Sequence, residues 1–530
     1  MITTTLRRTL LRSTASAPLA RSRPCLSCAK RQFATSPPSA PHSATSPAAS
    51  MLGALTGELD KLAPRFELHA SQIRILQAPG EFYETLKERI SKAERRIFLS
   101  TLYIGKTEHE LISILRAALL RSPTLHVSIL SDALRGTRES PHPSCASLLA
   151  PLVAEFGADR VDIRMYHTPN LRGLRKKVVP KRLNEGWGLQ HMKLYGVDDE
   201  IIISGANLSD DYFTNRQDRY HVFSCPRLTD YFSRIHNAVC SISYQVLPAP
   251  ADQGGFTLEW PESNPAPQPT EEPTAFKTAA TAILAPLIRP LVAAKAPSTT
   301  GPRTFVYPLA QFTPLLYPTD TSTEHPGLSA VLRLLSRDDW ASSKWMFTAG
   351  YFNIHSQLKQ LLLASKSVQG TVVTAAPEAN GFYGSKGVSN MLPPAYTLLA
   401  RRFLGDVVKM GKEQQIELRE WRKGTIGKDP DAWTYHAKGI WVTLPNEQNP
   451  SITLVGSSNY TKRSYSLDLE INALVVTEDE SLKKQLRGEV EWLQEKSKKV
   501  TMEDFERTER RVSLKVRLAL WLVGVLGGQL

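Results

Sequence analysis

Apolar residues fall in runs of about four to eight, separated by helix-period stretches, and the same order of runs occurs twice. In the first half, Arg96-Ile-Phe-Leu-Ser-Thr-Leu-Tyr103 reads as a buried strand. Glu108 to Leu120 follows as a helix, then Leu125–Leu130 and Val161–Tyr166 as strands. In the second half, Lys344-Trp-Met-Phe-Thr-Ala-Gly-Tyr351 takes the first position. Gln357–Leu363 reads as helix, and Gly370–Ala375 and Ile416–Trp421 as strands. Apolar runs alternating with helical patterns predict α/β layers with helices flanking a mixed sheet. Ordered repetition predicts two such domains, at 58–247 and 304–505, related by duplication.

The stretch from Pro248 to Pro302 breaks the pattern. It is rich in Pro, Ala and Thr and reads as a linker (248–303) holding one helix at Ala275–Ala294. A second irregular stretch, Asn380–Pro394, reads as the rim of a site and a candidate lid. At the C-terminus, 506–530, Arg510, Arg511, Lys515 and Arg517 precede an apolar run from Leu518 to Leu526. That run is shorter than the roughly 20 residues a bilayer span needs. Basic residues beside a short apolar run predict an interfacial segment on an anionic membrane.

Charge sharpens this picture. The 530 residues carry a formal charge of +14, which favours anionic partners. Half of that excess is local: residues 1–57 hold seven Lys or Arg and no acid. This Arg-, Ser- and Ala-rich segment lacks a continuous apolar core and reads as a mitochondrial transit peptide and disordered segment, with processing near Phe33. Cys25 and Cys28 form a single CxxC inside it, too few ligands for a zinc site. Cys145, Cys225 and Cys240 fit no pairing pattern and are expected as free thiols in a reducing compartment.

The candidate chemistry is also repeated. His191-Met-Lys193 opens QHMKLYGVDDEIIISGAN, and His436-Ala-Lys438 opens YHAKGIWVTLPNEQNPSITLVGSSN. Each run ends in a small-residue turn with an Asn, Asn207 or Asn459, and eleven residues later comes an acid, Asp218 or Glu470. Displacement at a phosphodiester needs a nucleophile, an acid for the leaving oxygen and positive charge on the other oxygens. Imidazole serves the first two near neutral pH, one ring neutral and one protonated. Residues i and i+2 of a strand face the same side, so each His and Lys share a pocket. The two Asn can donate to phosphate, and Asp218 and Glu470 can hold the second imidazole nitrogens.

HxK-x4-D followed by a GSxN-like turn, present twice, resembles the phospholipase D superfamily. His191, Lys193 and Asp198 match HxK-x4-D, and Gly456-Ser457-Ser458-Asn459 matches GSxN. Ser204-Gly205-Ala206-Asn207 is a degenerate copy, and Thr443 stands where the second Asp is expected. Within the superfamily, Pro169–Lys177, Gly188–His191 and ISGANLSDDYFTNRQDRY resemble eukaryotic mitochondrial phosphatidylglycerophosphate synthases. The resemblance implies two similar domains packed as a pseudo-dimer with one shared active site, and catalysis by His191, Lys193, Asp198, His436 and Lys438, supported by Ser457. It implies a phosphohistidine intermediate, with His191 as nucleophile and His436 as acid and base, and no metal or other cofactor. It also implies CDP-diacylglycerol and sn-glycerol 3-phosphate as substrates, phosphatidylglycerophosphate and CMP as products, and a place on the matrix side of the inner mitochondrial membrane, peripheral or C-terminally anchored.

An anionic acceptor calls for further cations, and Arg172, Arg175, Lys176, Lys177, Arg216, Lys462 and Arg463 are candidates. Ser100, Gly105, Lys106 and Thr107 form a loop one glycine short of a phosphate-binding motif and are a weak candidate for nucleotide phosphate. His109, His126, His167 and His221 lack repeated partners and read as structural. Alternatives within the superfamily are a phosphatidylserine synthase or a hydrolase. A nuclease is less favoured because no aromatic-basic strip for single strands is evident, so no nucleic-acid partner is expected. A non-enzymatic scaffold would have lost a His or Lys, and none is lost. The oligomeric state is left open by the sequence.

Overall fold

A computed structural model describes residues 47–173, 184–291 and 303–525, without the side chains of 521–525. The transit-peptide reading up to residue 46, the CxxC and the cations Arg175, Lys176 and Lys177 lie outside the described residues. The duplication is visible as two nine-stranded mixed sheets. The first runs Phe256–Glu259, Tyr244–Pro248, Val161–Tyr166, His126–Asp132, Arg96–Ser100, Leu194–Val197, Glu200–Ser204, Tyr220–Ser224, Ile73–Leu76. The second runs Ser497–Val500, Ile416–Trp421, Gln369–Ala375, Lys344–Ala349, Lys438–Thr443, Ile452–Gly456, Glu470–Thr477, Thr304–Gln311, Phe66–Leu68. Eight strands correspond in order and direction, with parallel pairing confined to the same three central strands of each sheet. Phe256–Glu259 is extra in the first sheet and Phe66–Leu68 in the second.

Those two extra strands mark where the chain departs from its sequence boundaries. Phe66–Leu68 pairs with Thr304–Gln311, Phe66 opposite Val306, so the N-terminal segment belongs to the second sheet. Before it, the helix Pro47–Leu59 buries Leu52, Leu55 and Leu59 against Leu328, Val331 and Trp340 of the second half. Residues 47–57 are therefore helical, not tail. Their apolar stripe at i, i+3 and i+7 was short, but long enough to be covered.

The Pro-rich stretch is folded as well. Phe256–Glu259 adds to the edge of the first sheet, Gln245 opposite Glu259. The helix Pro273–Ile288 is shorter than the expected Ala275–Ala294, because Pro290 follows and disfavours helix at Arg289. Phe276, Ala280, Leu284 and Ile288 lie at every fourth position and are buried. They join a core cluster drawn from both halves, with Phe98, Ile203, Phe223 and Ile235 on one side and Val306, Phe312, Ile471 and Ala473 on the other. The stretch is thus a strap across the junction.

A buried polar clamp fixes the register of the halves. Arg219 donates through Nε and Nη2 to the two carboxylate oxygens of Glu489, each at 2.9 Å. Its other donors reach Leu454 O at 2.6 Å and Thr453 Oγ1 at 2.8 Å, and its guanidinium lies 3.7 Å over the Trp441 ring. Trp441 Nε1 and His221 Nε2 complete the shell of Glu489 at 2.8 and 3.1 Å. Burial pushes the Glu489 carboxyl up, but Arg219 and His221 outweigh it and hold it well below the usual carboxylate range. Gly439, at φ +148°, leaves the space that Arg219 fills; a Cβ there would strike the guanidinium. Arg219→Ala is expected to lower unfolding stability by about 3–5 kcal/mol, because it strands a buried carboxylate. Denaturant melting of the purified variant checks this.

Candidate active site

Each His-x-Lys lies where its chain leaves its own half and pairs with the other. Gln190 bridges Leu469 in parallel, and the N–H of His191 donates to Leu469 O at 2.9 Å. Thr434–Tyr435 pairs in parallel with Arg216–Gln217, and the N–H of His436 donates to Gln217 O at 2.8 Å. These pairings place His191 beside Glu470 and His436 beside Asp218. His191 Nδ1 is 2.9 Å from both carboxylate oxygens of Glu470, and His436 Nδ1 is 2.6 Å from Asp218 Oδ2. The acid that orients each imidazole therefore comes from the opposite half. With Nδ1 so engaged, Nε2 of each ring is left for chemistry.

The lysines are fully buried. Lys193 Nζ donates to His191 O at 2.7 Å, and Lys438 Nζ to His436 O at 2.9 Å. Burial lowers both from the ordinary lysine value, helped at Lys193 by the Lys438 ammonium, which takes it to about 7, and at Lys438 by Arg216. Burial and the adjacent lysine also push His191 and His436 well below the ordinary imidazole range. Lys438 Nζ stands 2.8 Å from His436 Nδ1, where an imidazolium would meet an ammonium at contact distance. Burial raises Glu470 to about 7, against the pull of Lys193. Burial also works against the Asp218 carboxylate, but Lys438 and His436 keep it lowered. Burial thus disfavours the charged form of both rings.

The Asn turns close the site. Asn207 is buried and Asn459 half-buried, and the Oδ1 of each has no protein partner. At Gly205 a Cβ would stand 2.6 Å from Asp218 Oδ1 and 2.7 Å from Lys438 Nζ. Its counterpart is Ser457, whose hydroxyl accepts from the Ile471 N–H at 3.0 Å and lies beside Glu470. The degenerate turn of the first half thus makes room for an ammonium, and the GSxN turn of the second places a hydroxyl there. Tyr212 and Tyr351 stand edge-on to His436, each with ring centres 5.2 Å away, and Tyr212 Oη is 3.4 Å from His436 Nε2. Both tyrosines escaped the sequence reading. A signal existed for one of them: Tyr351 and Tyr103 sit at equal offsets from the first strand of each half.

Asp198 is not at this site. Five residues beyond Lys193 along a strand is about 16 Å at ~3.3 Å per residue. It occupies the turn between Leu194–Val197 and Glu200–Ser204 at φ +48°, and its carboxylate accepts the N–H groups of Glu94, Arg95 and Arg96 at 2.9, 2.9 and 3.1 Å. It pins that hairpin to the start of the strand Arg96–Ser100. Thr443 takes the corresponding place opposite Lys344, at the far end of its strand.

The other candidates divide. Arg216 pairs with Asp211 at 2.7 Å, donates to Thr434 Oγ1 at 3.0 Å and lies 4.6 Å over the Tyr212 ring, beside the His436 pocket. Arg463 pairs with Asp468 at 2.9 Å and donates to Glu185 O at 2.8 Å, on the His191 side. The two ion pairs occupy equivalent positions with reversed polarity. Arg172 is exposed, and so is Lys462, in the turn beyond Asn459. The loop of Ser100, Gly105, Lys106 and Thr107 does not form a phosphate cradle. Ser100 is buried, its hydroxyl 2.8 Å from His236 Nδ1, and the Gly105 N–H is spent on Leu208 O at 2.8 Å. The cleft above is lined by Glu108, Glu139, Asp210 and Asp211 with Lys106 and Arg135, and its carboxylates repel phosphate. Cys145, Cys225 and Cys240 are buried free thiols. Among the described residues no group of three or more His, Cys, Asp or Glu is placed to hold a metal ion.

No family model matches the sequence. The chain is 46% identical to the CDP-diacylglycerol–glycerol-3-phosphate 3-phosphatidyltransferase of Saccharomyces pastorianus, over 91% of this chain and 93% of that protein. It is 44% identical to the protein of the same name from Saccharomyces cerevisiae, over 93% and 94%. Against the human protein, whose name adds "mitochondrial", identity is 34% over 87% and 84%. Among solved structures, the phosphatidylserine synthase of Haemophilus influenzae shares the fold at a TM-score of 0.65 and 21% identity, covering 90% of this chain and 98% of that one.

Asp198→Asn separates fold from chemistry. It is expected to cost about 1.5–3 kcal/mol of stability, the scale of hydrogen bonds to a charged acceptor. Turnover at a temperature well below the melting transition is expected to stay close to that of the parent, as paired melting and rate measurements on one preparation will show.

Proposed function

The chain belongs to the CDP-diacylglycerol–glycerol-3-phosphate 3-phosphatidyltransferase family, and from that premise we propose how its residues carry the reaction. The enzyme transfers the phosphatidyl group of CDP-diacylglycerol to sn-glycerol 3-phosphate, giving phosphatidylglycerophosphate and CMP. The observation that supports our assignment most directly is the pair of crossed imidazole–carboxylate contacts, His191 with Glu470 and His436 with Asp218.

His191 Nε2 attacks the phosphorus bearing diacylglycerol, a P–N bond forms, and the bond to the bridging pyrophosphate oxygen breaks. CMP leaves with a proton from His436. Glu470 offsets the positive charge that grows on the His191 ring as the P–N bond forms. The pyrophosphate brings negative charge beside the ring, which raises His436 toward its protonated form as substrate seats. Lys193, Lys438, Asn207 and Asn459 are placed to hold the non-bridging oxygens. In the second step the glycerol hydroxyl gives its proton to His436, its oxygen attacks phosphorus, and the P–N bond breaks. The two tyrosines against the His436 ring give the imidazoles different surroundings, which supports this division of roles. Buried ammonium groups supply the charge that a metal supplies elsewhere, so the proposed route uses no metal.

We further propose that the enzyme is mitochondrial and lies on the matrix side of the inner membrane, held peripherally through its C-terminal segment. The mitochondrial names of the mammalian relatives and the acid-free N-terminus support this. Among the described residues no helix is long and apolar enough to cross a membrane.

Purified protein given CDP-diacylglycerol with labelled glycerol 3-phosphate, serine or water in parallel is expected to form product only with glycerol 3-phosphate. Product from serine or water alone would overturn the assignment. His436→Ala is expected to lower turnover by about 10³-fold or more. Mass spectrometry of that variant, quenched during turnover, is expected to find the phosphatidyl group on His191.

The pH dependence follows from Glu470 and Lys193. kcat/KM for CDP-diacylglycerol is expected to fall below about pH 7, where Glu470 takes up a proton and no longer offsets the charge growing on the His191 ring. The ratio also falls as pH rises above about 7, where Lys193 loses its proton. Because the folded-state pKa of Lys193 lies below its unfolded value, the unfolded chain binds the extra proton between them. This group therefore adds stability as pH rises from about 7 toward 10. A pH series of rate and melting measurements tests both signs.

A further inference from the structure

A cavity of about 970 Å³ lies away from the histidines. It lies between the segment Pro377–Thr397, the edge strand Ser497–Val500 and the chain from Asp504 to Val512. Seven Lys or Arg side chains and four carboxylates line it. Three of the carboxylates are already matched: Glu420 by Arg510, Asp504 by Arg507 at 2.8 Å and Glu378 by Arg422 at 3.3 Å. Lys498, Lys499 and Arg511 have no ion pair among the described residues, and all three are exposed. With only Glu509 left unmatched against them, the lining carries an excess of positive charge, which favours an anion.

The rim of this cavity is apolar on two sides. Val388 projects from the turn Gly387–Met391 with 72% of its surface exposed, and the neighbouring Asn390 lines the cavity. On the other side the chain passes from Arg511 and Val512 directly into the helix Leu514–Val525, whose Leu514 and Leu518 are 80% and 57% exposed. Large apolar side chains this open are matched by lipid, and a helix lying in the interface sits about 5–10 Å into the headgroup and acyl boundary. Arg511 lies three residues before Leu514, so the cationic lining adjoins the apolar rim along the chain. A free phosphate ion would leave the apolar rim without a partner.

We propose that this cavity is a binding site for the headgroup of an anionic phospholipid in the membrane, seated while the helix Leu514–Val525 and Val388 enter the bilayer surface. The site deepens the membrane placement proposed above, and its test reads binding instead of turnover. It also has a reason to exist beyond anchoring. The segment that forms its wall turns its other side to the catalytic centre: Gly381 packs against Arg216 and the Tyr351 hydroxyl, and Tyr351 stacks on Tyr396 at 5.5 Å. A lipid seated against Tyr383 and Asn390 therefore braces the wall that carries Tyr351 against His436.

The test uses the full chain and sedimentation with vesicles of phosphatidylcholine, alone or doped with phosphatidylserine, in the absence of substrate. The parent is expected to favour doped vesicles by at least about tenfold at low salt, and Lys498→Glu with Lys499→Glu to abolish that preference. Lys498→Arg with Lys499→Arg is expected to keep it, and Leu514→Asp with Leu518→Asp to weaken binding to both vesicle types. Circular dichroism and melting confirm that each variant is folded. A double-glutamate variant that still prefers doped vesicles overturns the proposal. So does release of the parent by inorganic phosphate beyond that caused by chloride at equal ionic strength, which would make the site one for a soluble anion. Loss of transferase activity in a protein that keeps the vesicle preference would count against the catalytic assignment and leave this site standing.

Discussion

Everything at the centre of this molecule depends on two carboxylates crossing the junction between its halves. Glu470 reaches His191 and Asp218 reaches His436, each from the opposite sheet. A histidine and a lysine buried together within one half would be driven neutral and left without orientation. The crossing carboxylate offsets that cost and fixes which ring nitrogen carries hydrogen. Neither half is a smaller version of the enzyme, because each holds the other's orienting acid. The apolar core drawn from both sheets, the strap Pro273–Ile288 and the Arg219–Glu489 clamp serve this requirement. They hold the junction to the few tenths of an ångström that a 2.6 Å contact demands.

Lys193 and Glu470 are balanced close to their switching points. Burial weakens both lysines as cations and both histidines as bases for protons, and raises Glu470 toward neutrality. On the proposed route the substrate pyrophosphate adds negative charge beside these groups, which favours their protonated forms. Within this frame the halves are not equivalent. Gly205 against Ser457, the reversed Asp211–Arg216 and Arg463–Asp468 pairs, and the tyrosines on the His436 side alone give each imidazole its own surroundings. Different surroundings are what allow two copies of one motif to take two roles in one reaction.

Duplication alone would give two sheets with exposed junction faces. The additions to the repeat close them. The N-terminal helix and strand, 47–68, cross to the second half, and the segment between the halves lays a strand on one sheet and a helix into the shared core. The Asp198 turn performs a local version of the same task, tying a hairpin to its neighbour far from the chemistry. The motif residue that reads as catalytic is there because the strand bearing His and Lys must be held at its other end.

Much of this was legible in the chain itself. Strand and helix order, the duplication, both His-x-Lys pairs, the turn asparagines and the acids eleven residues on follow from spacing, because period-2 and period-3.6 patterns and repeated offsets are local properties. The N-terminal helix and the strap were under-read for the converse reason: short apolar stripes among Pro, Ala and Ser show their worth only once something covers them. Spacing could say that Asp218 and Glu470 might hold an imidazole, but not that each would serve the other half. It could not say that Asp198 points away, that Arg219 and Glu489 meet 270 residues apart, or that burial pushes both imidazoles down. Those are matters of burial and of distance across the junction, which exist only when the two halves are closed on one another.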